Sequence, residues 1–158
     1  MSINKKSEIK KWQFFILGLI VVFTVGLKLY YAFYWPKAIL KINNQVLTVL
    51  VANNIKHWQK GLGGRDDLGK YDGMLFVFPE AKQHVFVMRD MKFPLDIIWF
   101  NKGMIIDIAP NLPLERDVIE EELTLYPARD VSDRVLEIPA GFAQKFNFKI
   151  GDKFEFLR

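Results

Sequence analysis

The sequence predicts a mainly β protein: a compact sandwich or barrel with two short helices, behind one N-terminal transmembrane helix. Three observations lead there. Short apolar runs separated by turn residues recur at even spacing from residue 37 to the C-terminus. Only two stretches in that region show helical spacing. One uninterrupted apolar stretch of membrane-spanning length precedes them all.

The chain has 158 residues, enough for about one domain of ordinary size. It contains no cysteine, which excludes disulfides, a lipid-modified cysteine and thiolate metal sites. Two histidines, His57 and His84, cannot build a multi-histidine metal site. No metal and no cofactor are therefore expected. The formal charge of +4 does not mark a nucleic-acid face, because residues 1–36 carry all of it. There Lys5, Lys6, Lys10, Lys11 and Lys28 stand against Glu8. The remaining basic and acidic side chains balance, whereas phosphate binding needs a basic patch on the domain itself.

The N-terminal stretch is "WQFFILGLIVVFTVGLKLYYAFYW", Trp12 to Trp35. A helix over Phe14–Trp35 would be about 33 Å long, matching a bilayer core. Trp12 marks one end, and Tyr30, Tyr31, Tyr34 and Trp35 mark the other as an aromatic belt. Lys28 lies near the outer end, where its ammonium reaches the headgroups, and Pro36 ends the helix. Four lysines precede the span, so residues 1–11 read as a cytoplasmic basic tail. Residues 12–36 read as an uncleaved single-pass anchor in the cell membrane, because "YYAFYWPKA" offers no small-residue cleavage site. Residues 37–158 then form an extracytoplasmic β domain.

Within that domain, "AILKINNQVLTVLVAN" reads as two strands around Asn43-Asn44, since asparagine tolerates positive φ. "NNIKHWQKGLGG" reads as a helix capped by Asn53 or Asn54 and stopped by Gly63-Gly64. His57 is expected on its solvent face. "GMLFVFPE" reads as a strand ending at Pro79, and "HVFVM" as its partner. "LDIIWF" and "MIIDIAP" flank Asn101-Lys102-Gly103, a hairpin signal. "LPLERDVIEEELTLYPARDVSD" reads as a polar loop region that includes Ser132, and Glu120-Glu121-Glu122 as a solvated face. "RVLEI" is a further strand. "PAGFAQKFNF" is a short helix opened by Pro139, and "KIGDKFEFLR" is a turn and a last strand.

Several of these pieces, taken in order, resemble the family called domain of unknown function 192: "KGLGGRDDL", "DGMLFVF", "VFVMRDMKFPLDIIWFN", "MIIDI", "RVLEIPAG" and "IGDKFEF". They cover about residues 46–156. The resemblance implies a jelly-roll-like β-sandwich outside the membrane and brings no established activity. Where the family has Arg-Gly-Leu-Met-x-Arg, this chain has Lys60-Gly61-Leu62-Gly63-Gly64-Arg65. Where the family has Phe-Trp-Met-Lys-Asn-Thr, it has Phe86-Val87-Met88-Arg89-Asp90-Met91, with Pro94-Leu95-Asp96 intact.

The candidate site follows from charges set beside apolar strands, which must be exposed or paired. Arg65, Met88, Arg89, Asp90 and Asp96 form the candidate ligand-binding set at one end of the domain. Two bland readings stand beside it. Asp96 accepts backbone N–H groups after Pro94 and locks a turn while Arg89 pairs outward, and Met88, like Met74, fills core. No catalytic residue is assigned. The expected function is a binding or interaction module for an envelope glycan, a small polar ligand or a membrane-protein partner. The alternatives are a carboxylate-dependent hydrolase using Asp90 and Asp96, and an accessory subunit of a membrane complex. A Ser132–His84 couple lacks a nucleophile-elbow context.

Overall fold

The computed structural model describes residues 11–157, so Lys5, Lys6, Glu8 and Lys10 of the basic tail lie outside the described residues. The chain divides into two units between Tyr34 and Trp35. In the first, α1 spans Lys11–Phe33. Within it, Trp12–Tyr31 is long and apolar enough to cross a membrane, with none of it buried against protein. The Thr24 hydroxyl donates to the Val21 carbonyl at 2.9 Å, which satisfies the one hydroxyl of this apolar stretch before the tyrosines.

The second unit begins with β1 (Lys37–Ile42) and β2 (Gln45–Ala52), then α2 (Ile55–Lys60). β3 (Gly73–Lys82), β4 (Val85–Phe86), β5 (Leu95–Asn101) and β6 (Met104–Leu112) follow. A 3-10 turn at Glu120–Glu122 precedes β7 (Tyr126–Pro127), β8 (Ser132–Pro139), α3 (Phe142–Lys145) and β9 (Phe154–Leu157). The mainly β expectation holds. Seven strands form one mixed sheet in the order β6-β5-β8-β3-β2-β1-β9, and β4 pairs with β7 apart from it. Only β2 and β3 pair in parallel among the described ladders, through a connection that carries α2.

Both predicted hairpins form. β1 and β2 turn through Asn43 at φ 52°. β5 and β6 turn through Lys102 and Gly103 at φ 49° and 79°, the double positive φ of a type I′ turn. The expected pairing of "HVFVM" with "GMLFVFPE" is corrected. β3 already has β2 on one edge and β8 on the other, so Val85–Phe86 pairs with β7 instead. The β3–β8 register breaks between Val77 and Lys82, where Pro79 offers no N–H to the ladder. Ser132 is likewise not in a loop. It opens β8, fully buried, with its hydroxyl donating to the Lys82 carbonyl at 3.4 Å. α2 stops at Gly61, at φ 48°, before the Gly63-Gly64 pair expected to end it.

The central strands are apolar on both faces because both faces are covered. Leu75, Ile98 and Leu136 pack on one side with Ala143 of α3, Phe148 and Phe154. Met74, Phe76, Ile97, Trp99 and Val135 pack on the other, with Leu62 and Met88. Each fully buried aliphatic or aromatic side chain contributes about 1.5–3 kcal/mol. The edges β6 and β9 meet at a single Met104–Lys153 bridge, with Ile105 donating to the Asp152 carbonyl at 2.8 Å. The sheet curls to that point without closing as a barrel.

Candidate functional site

The five side chains nominated by the sequence do not meet at one place. Arg89 donates from Nε to Glu120 Oε2 at 2.6 Å and from Nη2 to Glu120 Oε1, an exposed bidentate pair. The pair holds Arg89 above, and Glu120 below, the usual ionisation range, chiefly by this hydrogen bonding. Asp90 is exposed at φ 54°, and its carbonyl accepts the Gly64 N–H at 2.8 Å. A glycine is needed at 63, because a Cβ there would stand 2.9 Å from the Arg89 carbonyl oxygen. Arg89 and Asp90 border a shallow surface depression with Lys92, Glu115, Arg116 and Glu120, where both signs of charge mix. Arg65 lies elsewhere, its guanidinium 5.1 Å from the Trp35 ring centre. Met88 is core, fully buried.

Asp96 is a structural anchor. It is fully buried, and its Oδ1 accepts from the backbone N–H of Asn111 at 2.8 Å and of Gly141 at 3.0 Å. Its Oδ2 accepts from Ala143 N–H at 2.8 Å. The turn-locking reading placed its donors just after Pro94. They come instead from the end of β6 and the start of α3, which it ties to β5. Asp107 is similarly occupied, by Ile108 N–H at 2.9 Å, Arg129 N–H at 3.0 Å and the Arg129 guanidinium at 3.1 Å.

A third buried carboxyl is different. Glu137 stands in β8 between Leu136 and Ile138, opposite Met74 of β3 and Ile97 of β5. It is 5% exposed, and its Oε2 has no hydrogen-bond partner. Burial pushes its pKa up to about 8, so the group is a neutral acid at pH 7. It lines a cavity of about 230 Å3 whose walls include Trp58, Phe76, Phe78, His84 and Phe86. Gln59, Lys60 and Arg89 also line it. Phe76 meets Phe86 edge-on at 4.9 Å, and Trp58 lies 5.2 Å from Phe78. His84 stacks on Phe78 at 3.5 Å, and burial lowers its pKa, which keeps it neutral at pH 7.

Local sequence explains this arrangement. Asn54 caps α2 by accepting the His57 N–H at 3.1 Å, and Trp58 Nε1 donates to the Ala52 carbonyl at 3.0 Å, which fixes the ring. Gly61 then turns the chain over the carboxyl, and a Cβ there would lie 3.4 Å from Phe76 and 4.0 Å from Glu137 Oε2. Trp99 Nε1 is a second buried, unpartnered atom, one diagonal position from Glu137 on the same sheet face. His57, expected to face solvent, is buried against Trp35 with ring centres 4.0 Å apart. Trp35 therefore packs within the β domain. Among the described residues, no three His, Asp or Glu side chains gather as a metal ligand set.

Sequence reasoning missed Glu137. The signal was present in "RVLEIP", a carboxylate inside a strand that is otherwise apolar.

Two solved structures share the fold. A protein of unknown function from Novosphingobium aromaticivorans DSM 12444 is 28% identical, with a TM-score of 0.64 over 77% of this chain and 84% of that one. A proposed transcription regulator from Sinorhizobium meliloti 1021 is 24% identical, with a TM-score of 0.69 over 77% and 95% respectively, a likeness of fold alone. No curated protein matches the chain. The model of the family described as "Uncharacterized ACR" matches residues 38–156, nearly the whole β domain, and the chain belongs to that family, DUF192.

Proposed function

We propose that this protein is a membrane-anchored binding module that takes a small polar envelope ligand in the cavity over Glu137. The observation that carries the reading is the unpartnered carboxyl of Glu137, buried at an aromatic-walled cavity open to a ligand. A buried polar atom without a partner costs about 1–3 kcal/mol, and a ligand group that pairs with it recovers that cost on binding. Aromatic rings beside convergent polar groups are a recurrent make-up of a small-molecule site. The apolar helix α1 and the lysines before it support an anchor with the β domain on the extracytoplasmic side.

Binding fits better than two-carboxylate hydrolysis. Among the described residues Glu137 is the single carboxylate lining the cavity, and the oxygens of Asp96 are committed to backbone donors. The test is a thermal-shift screen of the full-length protein in maltoside micelles. Envelope sugars, peptidoglycan fragments and small amines are each run against the parent and Phe86→Ala. A compound that raises the melting temperature of the parent by several degrees, and not that of the variant, supports the reading. Equal shifts in both proteins, or none in either, count against this cavity.

A further inference from the structure

We propose that the Glu137 cavity recognises an organic ammonium cation, with the carboxylate as counter-ion and the surrounding rings as a cation-binding cage. This rests on the binding reading above and names its ligand class.

The argument begins with charge. Among the described residues, Lys60, Arg89 and His84 are the other titratable groups that line the cavity. The Arg89 charge is taken by Glu120. The Lys60 ammonium lies over the turn, 3.1 Å from where a Cβ on Gly64 would stand. His84 is neutral at pH 7 and stacked on Phe78. The strands that flank Glu137 present Met74 and Ile97, both apolar. Among the described residues no cation hydrogen-bonds the Glu137 carboxyl, and burial is what raises its pKa.

Ligand classes can be ranked against this. An anion would face an uncompensated carboxyl. A hydrocarbon would leave Oε2 unpaired. A neutral hydroxyl compound would satisfy Oε2 but draw nothing from the ring quadrupoles. An ammonium group answers to both, as a charge partner for the carboxylate and as a cation for the aromatic faces, which attract it more strongly when water is excluded. A volume of about 230 Å3 is below the range of about 300–1,000 Å3 usual for drug-sized ligands, which points to a headgroup and not a polymer. The source is either a free solute or the headgroup of a choline lipid.

Binding carries a proton signature. The empty site holds Glu137 as the neutral acid, and an ammonium ligand stabilises the carboxylate, so binding releases a proton. With a folded pKa of about 8, the apparent affinity for a permanently charged ligand rises about tenfold from pH 7 to pH 9. His84 stays neutral across that window, so it adds nothing to the slope.

The experiment uses the full-length protein in phosphatidylglycerol nanodiscs. Choline and its uncharged carbon isostere 3,3-dimethylbutan-1-ol are titrated calorimetrically at pH 7 and pH 9, in buffers of different ionisation enthalpy. The expected result is choline binding at least about tenfold tighter than the isostere at pH 9, with proton release at pH 7. In Glu137→Gln the proton release disappears and the preference for choline falls, while Phe86→Leu weakens choline and leaves proton release in place. Weaker apparent choline affinity in phosphatidylcholine discs assigns the ligand to a lipid headgroup, and unchanged affinity assigns it to a free solute. Equal binding of choline and isostere overturns the ammonium assignment but leaves the cavity a binding site. Failure of both to bind, when the screen above finds another ligand for the cavity, also overturns it. Failure of both together with an empty screen defeats the binding reading as well.

Discussion

Two buried carboxylates in one domain have opposite roles because of what surrounds them. Asp96 accepts from three backbone N–H groups, while Glu137 Oε2 accepts from none. Asp96→Ala leaves those three donors without their acceptor, the one at Ala143 fully buried. The expected loss is about 3 kcal/mol or more, read as a lower urea midpoint for the β domain. Glu137 gives a pH dependence. Its folded pKa of about 8 lies above the ordinary value of 4.5, so the folded state holds a proton that the unfolded state releases between those values. Stability from this group is intact below about pH 4.5 and falls as pH rises through about 8. Glu137→Gln removes the titration. Its melting temperature should fall less than the parent's between pH 5 and pH 9, and the difference should approach roughly 5 kcal/mol at the alkaline end.

At the scale of elements, β3 and β8 hold the site together. Met74 stands opposite Glu137, and the preceding Gly73 lets the two backbones approach. A Cβ on Gly73 would fall 2.2 Å from the Glu137 carbonyl oxygen, which no rotamer relieves. Gly73→Ala is expected to destabilise the domain by about 3 kcal/mol or more and to move Glu137, checked by a thermal melt and by loss of ligand-induced shift. α2 is a gentler case. Asn54→Ala removes the cap on the His57 N–H, with an expected loss of about 1 kcal/mol and a frayed aromatic wall at Trp58. These elements were legible to different degrees. The Asn43 and Lys102-Gly103 turns announced their hairpins through residue type, because positive φ restricts which residues serve there. The β3–β8 and β4–β7 ladders join segments far apart in sequence, and apolar pattern alone does not say which strand edges meet.

For the whole molecule, the prediction concerns α1. A chain anchored by Trp12–Tyr31 stays in the membrane pellet after alkaline carbonate washing, and removal of residues 1–34 releases the β domain to the supernatant. A reporter enzyme that is active only outside the cytoplasm, fused after residue 158, should be active if the lysines before the span hold the N-terminus inside. An inactive reporter on a stably expressed fusion would reverse the orientation. The site also belongs to this scale. Its cavity is assembled from α2, β3, the segment around β4 and β8, which only the complete sheet brings together.

The sequence by itself determined the apolar helix, the mainly β character, the hairpin turns, the α2 cap and the family, because each is written in local pattern. It also marked Asp96 as a residue with backbone donors, though not which ones. Tertiary structure alone decided three further things: the sheet order, the burial of His57 and Ser132, and the contrast between Asp96 and Glu137. The reason is physical. A carboxyl's role is set by how many donors and how much water reach it, and those come from strands and turns distant in the chain. "RVLEIP" shows a glutamate in an apolar strand, but only the packed sheet leaves that glutamate dry, unpaired and facing a cavity of aromatic rings.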